Sequence, residues 1–381
     1  MNRCYSETSL AIVLDHPAQH FSPAFRELHR STRLKTDILY WNTLEDGMFD
    51  RPFNRRVEWD VDLLGGYRWW APRQTSNLVS RVLATWRKLT ADAPDAMIVF
   101  GWATPNVGVA IAWSLLHRST DVYLYGDSTW QAERSGVLGF VRRTGLRLLF
   151  NMATGAIATG AFNREFYIRH GMHPSNIAHG NCPADIDFYR TGAQRGARTG
   201  GGSPVVIGFA GKLIPRKGVH ELLSAAALLE SESLWQIRII GEGPERANLE
   251  KMADALKLSA RVRFEGFKNQ SEMPASLGDC DVVVVPSTRD MRVLVTTEAM
   301  AAGCAVIVSS NTAVWGVGDL VQHGHTGLVY ESGNIFELAQ HLGSLISDRE
   351  AIAKLVANAT SLLQEQGPAA FARRVEAAVS R

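Results

Sequence analysis

The sequence predicts an α/β protein built from two doubly wound domains, each a parallel sheet with helices on both faces. Three observations predict it. The chain has 381 residues, enough for two domains of about 150 residues or more, each with its own core. Short continuous apolar runs alternate with amphipathic runs from end to end, the pattern of sheets buried on both faces. Residues 191–204, TGAQRGARTGGGSP, are Gly, Arg and small polar types without periodicity, which reads as a linker. The expected domains are therefore 1–190 and 205–365.

In the first half the expected strands are 10–16 (LAIVLDH), 36–41 (TDILYW), 96–102 (AMIVFGW), 121–126 (DVYLYG) and 155–160 (GAIATG). Ser22 and Pro23 suit the start of a helix running to Arg30. Residues 96–116 carry no charge and are long enough to resemble a membrane span. Thr104-Pro105 interrupts them, because Thr caps and Pro opens helices, so we read a buried strand followed by a helix at 105–117. In the second half the expected strands are 205–211 (VVIGFAG), 237–243 (IRIIGEG), 261–267 (RVRFEGF), 281–287 (DVVVVPS) and 305–310 (AVIVSS). Between the first two, Val219, Leu222, Leu223, Ala226 and Leu229 recur at helical spacing and form one apolar stripe. Two such domains are expected to face a cleft, with ligands outside the carboxyl ends of the strands.

Forty Lys plus Arg against 38 Asp plus Glu give a net charge of +2, too small to recruit nucleic acid. Cys4, Cys182, Cys280 and Cys304 have neither zinc-site nor disulfide-framework spacing. The N-terminus has an apolar core of five residues before Asp15, too short for a signal peptide. A cytoplasmic chain with no metal is expected.

Only eight of the basic residues are Lys, and two of them fall in Gly211-Lys212-Leu213-Ile214-Pro215-Arg216-Lys217-Gly218. Two glycines allow a tight turn there, and Lys212, Arg216 and Lys217 supply cations suited to a diphosphate; taken alone the loop also reads as a solvated basic turn. It lacks the G-K-[ST] ending of a P-loop. Later, residues 286–310 place Asp290 and Glu298 eight positions apart, with a helix expected to begin near Val295 and Glu298 in its first turn. Backbone N–H groups at such a start, around Val293, Leu294, Val295 and Thr296, attract phosphate, and Glu298 beside them is placed to accept hydrogen bonds from a ribose diol.

These residues resemble the retaining family-4 glycosyltransferases of GT-B architecture. The family pattern G-R-L-x-x-x-K-G matches 211–218, a Gly-rich strand end resembles IIGEGPER with Gly241, V-x-F-x-G resembles VRFEGF, and the E-x₇-E segment matches 286–310. The resemblance spans about residues 205–330. It implies two Rossmann-like domains facing a cleft, Lys212 and Lys217 on the donor diphosphate, Glu298 on the ribose, Gly266 and Phe267 beside the base, and Asp290 on the donor sugar. It also implies a final helix, 366–381, that returns to the N-terminal domain. Three departures bear on the sugar pocket: Lys212 stands for Arg, Asp290 for Glu, and Arg292-Val293 for Phe-Gly, where a Val restricts φ.

The first half lacks the Gly-Gly loop common in the family and instead carries Asp15-His16-Pro17-Ala18-Gln19-His20, which resembles a subset making bacterial polysaccharide and cell-surface glycans. His20 and His16 either serve the acceptor, by binding phosphate or taking its proton, or are structural. Asp127 positions an acceptor hydroxyl or caps the next helix. Gly160 to Arg164 and Asn181, Asp185 and Tyr189 resemble the family's last N-domain elements; Asp185-x-Asp187 also mimics a metal-binding D-x-D, discounted for this architecture. Residues 134–150 are amphipathic with Arg134, Arg142, Arg143 and Arg147, and Trp69-Trp70 lies between Arg68 and Arg73. Each reads as a surface packed on its own sheet or as a contact with anionic lipid at the inner face of the membrane.

The activity these expectations combine into is transfer of a sugar from a nucleotide-diphosphate donor to a glycan or lipid-linked acceptor with retention, in polysaccharide, lipopolysaccharide or exopolysaccharide synthesis. The nucleotide sugar is a co-substrate, and no cofactor is expected. A sugar-nucleotide 2-epimerase of the same fold, and a donor-binding scaffold with a degenerate sugar loop, are the competing readings.

Overall fold

A computed structural model describes residues 8–43, 48–50, 55–102, 104–130, 136–193, 203–291 and 293–380. Most of the expected linker, together with Cys4, Arg134 and Arg292, lies outside them. The chain forms two compact units, the first comprising Met1–Asp46, Asp62–Pro183 and Gly367–Arg381, the second Gly47–Val61 and Ala184–Gln366. The division thus falls at Pro183/Ala184, a few residues before the position 190 read from the sequence.

In chain order the elements begin with β1 (Ser9–Leu14), α1 (Ser22–Ser31) and β2 (Lys35–Tyr40), then a hairpin of β3 (Met48–Asp50) and β4 (Arg55–Val57) that belongs to the second unit. The first unit resumes with β5 (Trp69–Trp70), α2 (Leu78–Asp92), β6 (Ala96–Phe100), α3 (Pro105–Leu116), β7 (Asp121–Gly126), α4 (Gly136–Met152), β8 (Gly155–Ala158), α5 (Ala161–Arg169) and β9 (Ile177–His179). Its sheet is parallel with order β5-β2-β1-β6-β7-β8-β9. On β1, Leu10, Ile12 and Leu14 enter one core and Ala11 and Val13 the other, the two-residue period of a strand. With both faces covered, no position along the strand is left for a polar side chain, hence the continuous apolar run.

The second unit starts with α6 (Ile186–Gly192). It continues through β10 (Val205–Ala210), α7 (Val219–Ala226), β11 (Trp235–Ile240), α8 (Arg246–Ala255), β12 (Val262–Gly266), α9 (Met273–Gly278), β13 (Val282–Val285), α10 (Leu294–Ala301), β14 (Ala305–Ser309), β15 (Leu328–Tyr330), α11 (Ile335–Ser347) and α12 (Arg349–Leu363). Its parallel sheet runs β12-β11-β10-β13-β14-β15. Val205, Ile207 and Phe209 of β10 pack with α7, α8 and α11, and Val206 and Ala210 with α9 and α10. In both sheets the order reverses direction beside the first strand, between β1 and β6 and between β10 and β13. Such a switch point parts the loops that follow two neighbouring strands, and the crevice so made is where doubly wound sheets bind ligands.

The final helix, α13 (Pro368–Val379), returns to the first unit, where Phe371, Ala372, Val375, Ala378 and Val379 join the core against α1. The architecture read from the sequence agrees with the structure, and the strand positions shift by a few residues at most. Five short strands, β3, β4, β5, β9 and β15, were not anticipated. At α1 the expected capping differs: Phe21 holds the N-cap position, and Ser22, one residue inside, donates its hydroxyl to the carbonyls of Leu63 (2.7 Å) and Ala18 (3.1 Å). Ser22 therefore ties the helix to the loop at Leu63 instead of capping it.

Candidate functional site

The residues that gather at the β10/β13 switch point come from the loops after those strands. After β10 the chain bends at Gly211, forms a 3₁₀ turn at Pro215–Lys217 and leaves it through Gly218, whose φ is 69°. A Cβ on Gly218 would stand 1.8 Å from the Pro286 carbonyl oxygen, so only glycine lets this loop lie against the end of β13. Thr288 N–H donates to the Arg216 carbonyl at 2.9 Å, joining the two loops. Gly241, at the end of β11, is as tightly constrained: its φ is 147°, and a Cβ there would stand 1.8 Å from the Gly211 carbonyl oxygen.

This backbone delivers Lys217 to Asp290. Lys217 Nζ lies 2.5 Å from Asp290 Oδ2, and Arg216 approaches Oδ1 at 3.7 Å. Ser287 Oγ is 3.4 Å from the same carboxylate. Asp290 is itself anchored, its N–H donating to the Asn311 carbonyl and its carbonyl accepting from Ala313 N–H. The pair is largely buried, with Lys217 and Asp290 side chains 16% and 9% exposed, while Arg216 is 52% exposed. Lys212 is half-buried on the same loop. The arrangement holds one ammonium rigidly against a carboxylate and leaves a guanidinium reaching solvent, a geometry that can receive a dianion by exchanging partners.

α10 begins at Leu294 with Val293 in the N-cap position, and no side chain caps it. Thr296 Oγ1 in its first turn is buried with no hydrogen-bond partner among the described residues. Glu298 is the fifth helical residue, so it lies one turn into the helix and not in the first turn as the sequence suggested. Tyr189 of α6 donates its hydroxyl to the Glu298 carboxylate, and Gln270 Nε2 donates to the same hydroxyl at 3.0 Å. Desolvation dominates at Glu298 and pushes its pKa up to about 7, with the Tyr189 hydrogen bond working the other way. Burial and the neighbouring Glu298 charge also raise the Tyr189 hydroxyl pKa. Gly266 and Phe267, half-buried at the end of β12, complete this end of the sheet, with Gly241 N–H donating to the Gly266 carbonyl at 2.8 Å. Nothing in the sequence signalled Tyr189, 109 positions away, as the partner of Glu298, or Gln270 as the partner of Tyr189, because residues so far apart share no local pattern.

In the first unit, His20 is half-buried with its ring 4.2 Å from that of Phe21. His16 Nδ1 sits 2.9 Å from Asp15 Oδ2. Both histidines lie at the β1/β6 switch point. Asp127 is exposed after β7. The next described α-helix begins at Gly136, and residues 131–135 ahead of it lie outside the described residues. Asp185 caps α6 by accepting from Phe188 N–H at 3.2 Å, and Asp187 pairs with Arg190 at 2.5 Å, so each half of the D-x-D has a local structural partner.

Residues 195–362 match the family described as glycosyl transferases group 1. The match lies within the second unit and covers less than half of the chain. D-inositol 3-phosphate glycosyltransferase of Corynebacterium urealyticum is 35% identical over 193 residues, 47% of this chain and 45% of that protein. The enzyme of that name from Mycobacterium bovis is 30% identical over 192 residues, 48% of this chain and 38% of its own length. The alignments thus span less than half the length of these curated relatives. Among solved structures, HepE of Anabaena, in complex with UDP, superposes with a TM-score of 0.72 at 19% identity, covering 98% of this chain and 99% of that one. That likeness shows the fold, two Rossmann-like domains of GT-B type. At one departure from the family pattern, Val293 has a φ of −109°, outside the left-handed region that favours glycine, and its side chain is buried in the core.

Proposed function

We propose that the chain is a glycosyltransferase that moves a sugar from a nucleoside diphosphate donor to a hydroxyl of a glycan or lipid-linked acceptor, with retention of configuration. The observation that carries the proposal is the meeting of Lys217, Arg216 and Asp290 at the switch point of the second unit, with the α10 N-terminus and Glu298 following on the same chain segment. UDP is the first nucleotide to test, because HepE binds it.

In this reading the donor diphosphate lies against Lys217, Arg216 and Lys212, the α10 N-terminus supports it, and Glu298 accepts hydrogen bonds from the ribose. Gly241, Gly266 and Phe267 flank the base. Asp290 faces the donor sugar and holds Lys217 in place. The sugar C1–O bond breaks with its electron pair moving to the diphosphate, whose growing charge Lys217 stabilises. An acceptor hydroxyl attacks C1 from the same face, and its proton passes to the departing phosphate oxygen. Acceptor binding falls to the first unit, with His20 and Asp127 the candidates. The product class is a glycan or glycolipid of the kind built into bacterial polysaccharide.

The test measures nucleotide release from a panel of nucleotide sugars, with and without lipid extract. Acceptor-dependent release supports transfer. Interconversion of donor sugars without acceptor would make the chain an epimerase, and binding without turnover a scaffold. Lys217→Ala is expected to cut turnover by about 10²-fold or more, as loss of an oxyanion donor does.

A further inference from the structure

The helix α4 shows two apolar faces where a helix of a globular protein needs one. Gly139, Leu146 and Phe150 are its buried residues, and they pack on the sheet of the first unit. At about 100° per residue these three fall within about 40° of one another on the helical wheel. Opposite them lie Val137, Val141, Leu148 and Met152, gathered within about 60°. Val137 is 79% exposed, Val141 61% and Leu148 61%. Leu138 and Phe140, 76% and 64% exposed, extend this outward stripe on either side.

The charges on α4 are of one sign and in one place. Its sequence, GVLGFVRRTGLRLLFNM, has three arginines and no acidic residue. Exposed Arg142 follows the Leu138 edge of the stripe and exposed Arg147 the Phe140 edge, so the apolar strip carries a guanidinium group on each side. α4 is about 25 Å long, and no helix among the described residues is long and apolar enough to cross a membrane. An apolar strip lying along the outside of a helix, flanked by Arg, matches the form of a helix that lies in the plane of a bilayer interface.

We propose that α4 is a docking helix for the surface of an anionic membrane. The strip sinks to the boundary of headgroups and acyl chains, and the arginines on its rim meet lipid phosphates, their stems covering apolar surface as their heads stay in water. Charge decides the occupant: an uncharged or cationic partner would leave the arginine rim unanswered, and a second copy would set arginines against arginines. The proposal is independent of which acceptor the chain uses, so it can fail while the transfer reaction stands.

The experiment is co-sedimentation of the full chain with vesicles of phosphatidylcholine alone and of phosphatidylcholine with phosphatidylglycerol, at low and high salt. Binding is expected only with phosphatidylglycerol, weakening as salt rises. Arg142→Glu with Arg147→Glu, and separately Leu138→Ser with Val141→Ser, are each expected to lower the affinity by about tenfold or more, with the thermal melt and UDP affinity unchanged. All four positions are exposed, so folding is not at stake. Equal binding to both vesicle types, no binding to either, or a dimer in light scattering that these substitutions dissolve, would each overturn the assignment.

Discussion

Lys217 and Asp290 share most of their burial, and each answers the charge of the other at 2.5 Å. In the proposed reading an arriving diphosphate competes with that carboxylate for the same ammonium, so Asp290 is expected to set how strongly the nucleotide is held. Asp290→Asn removes the competing charge and is expected to tighten UDP several-fold in a calorimetric titration, while turnover falls about tenfold or more because Lys217 is no longer held; weaker UDP binding would refute this. Glu298 sets a pH dependence. Its carboxyl, raised from 4.5 to about 7 in the folded chain, binds a proton where the unfolded chain has lost it, so between those values folding stability falls as pH rises. Glu298→Gln should abolish that slope in pH-dependent melts. For the nucleotide the sign is opposite: only the ionised carboxylate accepts two ribose hydroxyls, so UDP affinity is expected to rise through pH 7 in the native chain. In the Gln variant that rise is expected to be absent.

The loop Gly211–Gly218 places its cations by backbone geometry, and Gly218 is the position at which one methyl group is forbidden. Gly218→Ala forces either a strained left-handed alanine or a retreat from Pro286. It is expected to lower the melting temperature by several degrees and to weaken UDP at least tenfold through displacement of Lys217. A variant with native UDP affinity would show that the loop has another way to close. The same loop shows what was legible. Its glycines and lysines, and the long strands β1, β6, β10 and β13, stand out in the sequence because burial on both faces leaves an unbroken apolar run. β5, β9 and β15 are two or three residues long, too short to carry a period, and only pairing with a neighbour makes them strands. Ser22 was misread because a cap and a hydroxyl tied to a loop 41 residues away use the same residue type. Tyr189 stands out in the sequence only as part of a family pattern, since its hold on Glu298 exists only once α6 packs on α10.

Each unit has its own two cores, one on either face of its sheet, yet neither is continuous in the chain. The first unit is completed by the last helix: Phe371 is 1% exposed, its ring within 6.0 to 6.4 Å of Tyr125, Phe21 and Phe25. The family resemblance implied a final helix, 366–381, returning to this unit, and the structure shows which residues its apolar face meets, some 350 positions earlier. The loops proposed to hold the nucleotide belong wholly to the second unit, so stability and donor binding are expected to be separable by position. Phe371→Ala opens a cavity in the first unit and is expected to reduce stability by about 3–5 kcal/mol, as other Phe→Ala changes in cores do. UDP affinity, measured well below the new melting temperature, should stay within about twofold of the native value, since none of the groups proposed to meet the nucleotide lies in that core. A parallel loss of affinity would mean that the donor site depends on the first unit's core, and the assignment of the nucleotide to the second unit alone would have to be abandoned.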